Sequence, residues 1–476
     1  MIRKQHILMM CFFFILISCN SKTKITSAQK ASTSIVDYFA DNGFGNAVAV
    51  VQHPSGIYHN GVTYVCFQGP LEDPYVASYN HETKEWKGPY KAGISEMGKD
   101  PKRKKRIDNH GKPSIIIDDA EYIHITFGGH GGMRKHGENT LGNHHYGKNL
   151  HAVSQKPLDI SSWEMLDNIP PFGTYNQFIK MDNGDIYLFY RHGAHRSNWV
   201  YQKSTDNGRT FDEPISFLKH KRRRDIQAED SWYPWITRGN GNELIVVFDY
   251  HLCRDAKSNQ NKRGHIPERH NIYYMVMDTK TGTWRNVKGE PLNMPLIREE
   301  ADEKALVAKT GSDWTFQAVV DLNPHGNPHV CIRIGADIGR DRSAPKSLHH
   351  FRWNGDVWVQ SKNSQLPEGG GDIEVISTNR VNIYLDDTRA GEVSRWASFD
   401  AGDTFKKGLI LIKRNNSGFA ISSLIDNAHP DARIIVAEKE SGKHFRKMYL
   451  LGDNGPIQRD KNQADVLEDR LLNTKN

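Results

Sequence analysis

What this chain has little of narrows it first. Of its 476 residues only 5 are cysteine, and Cys11 and Cys19 fall in the N-terminal leader, leaving Cys66, Cys253 and Cys331. So sparse and odd a set cannot form a disulfide framework, and the core itself must hold the fold. No amphipathic helical period is sustained along the sequence, which points to an all-β fold. Beyond the leader no apolar segment is long enough to span a bilayer. The formal net charge is +7, and removal of a leader carrying Arg3 and Lys4 lowers it to +5. So small an excess suits an acidic substrate better than nucleic acid.

The leader places Arg3 and Lys4 before an apolar run from Ile7 to Ile17 that ends at Leu16-Ile17-Ser18-Cys19. This reads as a lipoprotein signal over 1–18, with lipidation at Cys19. Export follows, either to a bacterial envelope or surface through that lipid or as a secreted chain. A Ser-, Thr-, Lys- and Ala-rich tether over 19–35 comes next. One domain is expected over 36–460, with a C-terminal tail over 461–476.

Within the domain, short β-rich runs alternate with Gly, Asn and Asp turns and group into seven units. They cover about 47–88, 110–163, 174–211, 232–284, 314–358, 371–405 and 418–452, spacings that suit the blades of a propeller. The third ends in Ser204-Thr-Asp206-Asn-Gly208-Arg-Thr210-Phe211 and the sixth in Ser398-Phe-Asp400-Ala-Gly402-Asp-Thr404-Phe405. Both fit the Asp-box, S-x-D-x-G-x-T-F/W, whose Ser and Asp satisfy backbone donors in a tight hairpin while Gly takes positive φ. These carboxylates are structural. The expected architecture is a seven-bladed β-propeller.

In that architecture the starts of inner strands and the ends of second strands gather at one mouth. The rule brings together His110 and His130 from the second unit, Tyr175, Arg191, His192 and His195 from the third, and Tyr233, Tyr250 and His251 from the fourth. No carboxylate pair appears at these points, although glycoside hydrolysis usually needs one. The inventory instead suits elimination from a uronic acid. A cation neutralises the carboxylate and acidifies the C5 proton, a role for the guanidinium fork of Arg191. A His or an ionised Tyr takes the proton and the other protonates the departing O4. The glycines of Gly128-Gly129-His130-Gly131-Gly132 are expected to let a polymer approach the backbone.

A second constellation, His251 and Cys253 followed by His265 and His270, has the residue types of a tetrahedral zinc site, expected to be structural. Two basic runs, 102–106 and 221–224, read as solvated loops able to attract a sulfated polyanion.

Taken together, the N-H-G-K-P-S segment at Asn109 to Ser114, the G-G-H-G-G segment, Y-R-H-G at Tyr190 to Gly193 and the two Asp-boxes resemble the propeller ulvan lyases of polysaccharide lyase family twenty-five. The resemblance spans essentially the mature chain. It implies endolytic β-elimination in ulvan, the sulfated rhamnose and uronic acid polymer, by a chain expected to be monomeric. It further implies His110 and Tyr175 as the proton-transfer pair, Arg191 on the uronate, and His130 and Tyr233 lining the subsite, to which the strand-end rule adds His195 and Tyr250 as substrate-binding residues. It also favours zinc near His251, Cys253 and His265. Two other classes stay open: a sialidase-like hydrolase, which would need an arginine triad and a Tyr-Glu pair, and a glycan-binding lipoprotein without catalysis.

Overall fold

Short apolar runs with β-branched and aromatic residues, broken by Gly, Asn and Asp turns, form antiparallel meanders here because each run can bury a face only against its neighbours. The computed structural model describes residues 34–97, 107–255, 265–336, 346–362 and 366–467. The leader, most of the tether and the 102–106 basic run lie outside them. Among the described residues no helix is long and apolar enough to cross a membrane.

The strands form successive four-stranded antiparallel units. Their inner strands are Gly56–His59, Ser114–Ile117, Thr174–Lys180, Ala228–Arg238, Trp314–Leu322, Gly371–Val375 and Gly418–His429. Each inner strand touches the next, and the last returns to the first, so these seven units close into a ring. Val, Ile, Leu and aromatic side chains from facing sheets fill the spaces between blades.

Two features depart from the sequence reading. The last blade takes its fourth strand from the chain's beginning: Ala40–Phe44 pairs with Phe445–Gly452. The termini are also tied in. Ile35 and Val36 pair with Asp460 and Arg459, Ala464 is fully buried, and Asp41 accepts hydrogen bonds from the backbone of Val466 and Leu467 at 2.8 Å. Residues 461–467 are therefore part of the domain, because their backbone donors and one apolar side chain find partners there.

Both Asp-boxes form the predicted turn. Gly402 N donates to Ser398 Oγ at 2.8 Å and Thr404 N to Asp400 Oδ1 at 2.9 Å, matched by Gly208 to Ser204 and Thr210 to Asp206, each at 2.9 Å. Each turn packs on a buried histidine pair of the preceding blade. Gly208 has φ +72°, and a Cβ there would lie 2.9 Å from the His124 ring; Gly402 has φ +86°, and a Cβ there would lie 2.2 Å from the His350 ring. His124 Nδ1 and His329 Nδ1 each stand 3.0 Å from Nε2 of a partner, His151 and His350 respectively. His151 is thus an internal strut of the second blade.

Candidate active site

A loop ahead of the second blade carries Asp108, Asn109 and His110 to the ring's mouth. The Asp108 carboxylate is almost fully buried and takes two imidazoles at once: Nδ1 of His110 bonds to Oδ1, and Nδ1 of His130, the last residue of Ile123–His130, to Oδ2 at 2.7 Å. The two rings stack with centroids 3.6 Å apart and planes 9° from parallel. Burial alone would raise the Asp108 carboxyl, but the charges and hydrogen bonds of His130 and His110 outweigh it and hold it far below the usual carboxylate range.

An ionised carboxylate only accepts, so both Nδ1 atoms carry hydrogen and each neutral ring presents Nε2 as a lone pair. Nε2 of His130 is buried with no hydrogen-bond partner among the described residues. Burial lowers the His110 pKa below its ordinary value, opposed by Asp108 and reinforced by Arg191. Burial, reinforced by His110 and Arg191 and opposed by Asp108, brings His130 down to about 3. Lys112 is buried behind them and is lowered to about 7 by desolvation, against the pull of Asp108 and Glu72.

The third blade contributes Tyr175 and Arg191. Thr174 pairs with Arg191, but register resumes only at Gln177 with Phe189, which leaves Tyr175 and Asn176 in a bulge. Tyr175 has φ +62°, a left-handed backbone that costs a bulky residue on the order of 1–3 kcal/mol. The bulge aims its ring between His110, 5.3 Å away, and Tyr233, 5.6 Å away, and lays it parallel to Trp199. Arg191 is fully buried over these rings, its guanidinium 5.0 Å from Tyr175 and 5.4 Å from Tyr233. Its terminal nitrogens have no hydrogen-bond acceptor within 3.5 Å among the described residues.

The fourth blade supplies Tyr233, His251 and Arg269. Paired residues in an antiparallel sheet share a face, and faces alternate along each strand. Tyr233 pairs with Asp249 and His251 with Arg269, so these four stand on one side. Arg269 lies 3.4 Å over the Tyr233 ring. Burial would raise the Tyr233 phenol, but Arg191 and Arg269 hold it below its ordinary value. Burial and the neighbouring Tyr233 keep the Tyr175 phenol well above it, against the same two arginines. Asp249 is raised to about 6 by burial, opposed by Arg269 and by the Thr315 hydroxyl, 2.9 Å from Oδ2.

The same alternation corrects two expected assignments. Tyr250 pairs with Trp232 and His270, on the opposite face. Its hydroxyl donates to Asp230 at 2.5 Å, so it does not line the mouth. His270 reaches the Asp313 carbonyl at 3.1 Å and Glu268 at 3.4 Å, away from His251 and Cys253. Fully buried Cys253 shares the His251 face, and burial pushes its thiol up to about 11. His265 pairs with Asp255, and its side chain lies outside the described residues. His195 stands 5.3 Å from His251 and 6.4 Å from His130, between the mouth and the Cys253 side of the sheet. Among the described residues the potential metal-ligating clusters are Asp108, His110 and His130, and separately His81, His429 and Asp431.

The glycines around His130 serve packing between blades. A Cβ at Gly129 would lie 2.1 Å from the Gly173 carbonyl, at Gly131 2.8 Å from Ala194 N, and at Gly132 2.6 Å from Phe172. In the basic run, Lys221 faces Glu299, Arg222 pairs with Asp255, and Arg223 pairs with Asp225. Sequence reasoning missed Asp108 and Arg269. An Asp two residues before His110 was the available sign of the first; the parity of Arg269 with His251 becomes visible only once the register is known.

Fold and site together define a β-propeller whose mouth gathers histidine, tyrosine and arginine side chains from adjacent blades. The BNR repeat-containing family matches residues 62–366. An ulvan lyase of Nonlabens ulvanivorans is 67% identical over 472 residues, spanning 98% of this chain and 100% of the relative. One from Alteromonas sp. (strain LOR) is 52% identical over 446 residues, spanning 92% and 91%. A solved PL25 ulvan lyase bound to -[GlcA(1-4)Rha3S]- superposes with a TM-score of 0.87 at 50% identity, over 91% of this chain and 100% of that one. This chain belongs to the ulvan lyase family of polysaccharide lyases.

Asp108 sets the tautomer of His110, and its charge raises the His110 pKa. Asp108→Asn should therefore lower kcat by about 10²-fold, in the range of general acid–base contributions. It should also move the acid limb of the pH–rate profile downward, because the stabilised imidazolium is lost. The wild-type limb should fall below pH 6.5. Initial rates from pH 5 to 10 check both; an unmoved limb with normal kcat contradicts the assignment.

Proposed function

We propose that this chain cleaves ulvan by β-elimination at the uronic acid, with His110 taking the C5 proton and Tyr175 protonating the departing O4. The observation that carries the reading is the Asp108 carboxylate, which leaves Nε2 of His110 as the basic atom beside a protonated Tyr175 and the buried Arg191. Arg191 meets the uronate carboxylate with terminal nitrogens that have no acceptor among the described residues, and so stabilises the charge that develops as C5 loses its proton. The electron pair forms the C4–C5 double bond, the C4–O4 bond breaks, and the Tyr175 proton passes to O4. His130 and Tyr233 line the uronate, and Arg269 adds a second cation above Tyr233. The glucuronate in the bound relative makes glucuronate-containing ulvan the first substrate to test.

A hydrolase is disfavoured because the mouth's carboxylates are engaged, Asp108 by two imidazoles and Asp249 by Thr315 and Arg269. The same electrostatics support His110 as base and Tyr175 as acid, since burial lowers the imidazole's pKa and raises the phenol's.

For the metal, the donor set itself argues. A buried thiol and imidazole on one sheet face, with a second imidazole 5.3 Å away, match the thiolate and nitrogen chemistry that zinc prefers. His251, Cys253 and His265 would hold the ion, with His195 as the neighbour able to complete four ligands, and His270 is not among them. Bound zinc would supply a cross-link in the fourth blade, and the proton transfers belong to His110 and Tyr175. We also read the chain as an exported monomer, lipid-anchored through Cys19.

Three expected outcomes test these readings. Tyr175→Phe removes one hydroxyl from a half-buried ring and should lower turnover of ulvan by about 10²–10⁴-fold without altering the far-ultraviolet circular dichroism; near-wild-type turnover would defeat the acid role. Elemental analysis should find one zinc fewer in Cys253→Ser than in the wild type, and equal content would reject that site. Cell fractionation should recover the wild type with membranes and Cys19→Ala in the soluble fraction; membrane retention of the variant would refute the lipid anchor.

A further inference from the structure

The ring closes where the last blade meets the first, and another pair of histidines sits at that seam on the face opposite the mouth. His81 follows Pro74–Asn80, the third strand of the first blade, and His429 ends Gly418–His429, the inner strand of the last. Asp431 lies in the turn that follows. The nearest backbone link across the seam is a single parallel bridge, Asp426 to Ile57. His81 is 9% exposed; its Nε2 stands 2.8 Å from the Thr63 hydroxyl, while its Nδ1 is buried with no hydrogen-bond partner among the described residues.

Two further potential ligands, His429 and Asp431, stand beside His81. The His81 and His429 rings have centroids 4.0 Å apart, His429 Nδ1 accepts from the Asp431 backbone at 3.1 Å, and Asp431 Oδ1 accepts from Asn454 Nδ2 at 2.9 Å. One ligand atom from each of His81, His429 and Asp431 lies within 4.8 Å of the other two. Ligand atoms on a tetrahedral ion sit about 3.5 Å from one another, so small side-chain rotations complete the set. Tyr58 and Tyr79 flank the imidazoles at 5.0–5.5 Å. A groove of about 700 Å³, lined in part by Tyr79, Asp431 and Asn454, connects the carboxylate to solvent.

We propose that His81, His429 and Asp431 bind a divalent transition-metal ion, with zinc as the best match, and that this ion clasps the last blade to the first. Two neutral imidazoles and one carboxylate carry a single negative charge toward a dication, and imidazole nitrogen selects zinc, nickel or copper over magnesium or calcium. Three protein ligands leave one position for water from the groove. The ligands are 350 residues apart in sequence at their widest separation, from His81 to Asp431, so the unfolded chain does not present them together and binding favours the closed ring. None of the three belongs to the proposed elimination machinery or to the His251 and Cys253 set.

Zinc content and thermal midpoint test the clasp. Full-length wild type, His429→Ala and Asp431→Asn are equilibrated with zinc chloride, gel-filtered and assayed by elemental analysis, then melted with and without added zinc. Each variant should carry one zinc fewer per chain than the wild type and show a smaller zinc-dependent rise in midpoint, with turnover of ulvan unchanged. Equal zinc content and an equal rise in wild type and His429→Ala would overturn the proposal. Because the comparison is a difference from wild type, it stands whatever the Cys253 site holds.

Discussion

Closure of the ring is the constraint on which everything else rests. Seven sheets make a ring only if the last packs on the first, and here the last blade is completed by Ala40–Phe44, which hydrogen-bonds beside Phe445–Gly452 and commits the N-terminal region to the final blade. Once closed, the ring fixes the second, third and fourth blades relative to one another. That is what allows His110, Tyr175, Arg191 and Tyr233, from three separate sheets, to keep ring separations near 5 Å without any of them sharing a strand pair across blades.

Within that frame the site is organised by charge. One buried carboxylate, Asp108, is set against two imidazoles, and two arginines are set against two phenols. The first arrangement makes a neutral, oriented histidine; the second separates the tyrosines, with Tyr175 keeping its proton more tightly than Tyr233. Pre-organisation of this kind places the cost of desolvation in folding and leaves the charges aimed at the substrate. The left-handed Tyr175 backbone is part of the same cost, borne by a bulge that packs against Trp199.

Much of this was legible in the residues. The Asp-boxes and the recurrence of Gly- and Asp-rich turns mark blade ends because their side chains satisfy local backbone donors, a signal independent of distant contacts. Ala40–Phe44 gave no such sign: its sequence, ADNGF, has no apolar alternation, and its partner lies about 400 residues away. The rule of strand starts and ends found His130, Tyr175 and Arg191, since those strands are short and end at the rim, and it found His110 although that residue sits in the loop four positions ahead of the strand at Ser114. It failed for Tyr250 because three strands of the fourth blade run 11 to 14 residues and pass through the rim, so the face of the sheet decides which side chains reach the mouth; the same alternation separates His270 from the Cys253 set that spacing alone had grouped. Asp108 precedes its blade in a loop, where no periodicity marks it.

The central claim is elimination, and its most direct measurement is near-ultraviolet absorbance during incubation of the purified chain with ulvan, read alongside a reducing-end assay. The account predicts that absorbance from the C4–C5 double bond conjugated to the carboxylate rises in proportion to new reducing ends. New reducing ends without that absorbance would mean hydrolysis and would contradict it.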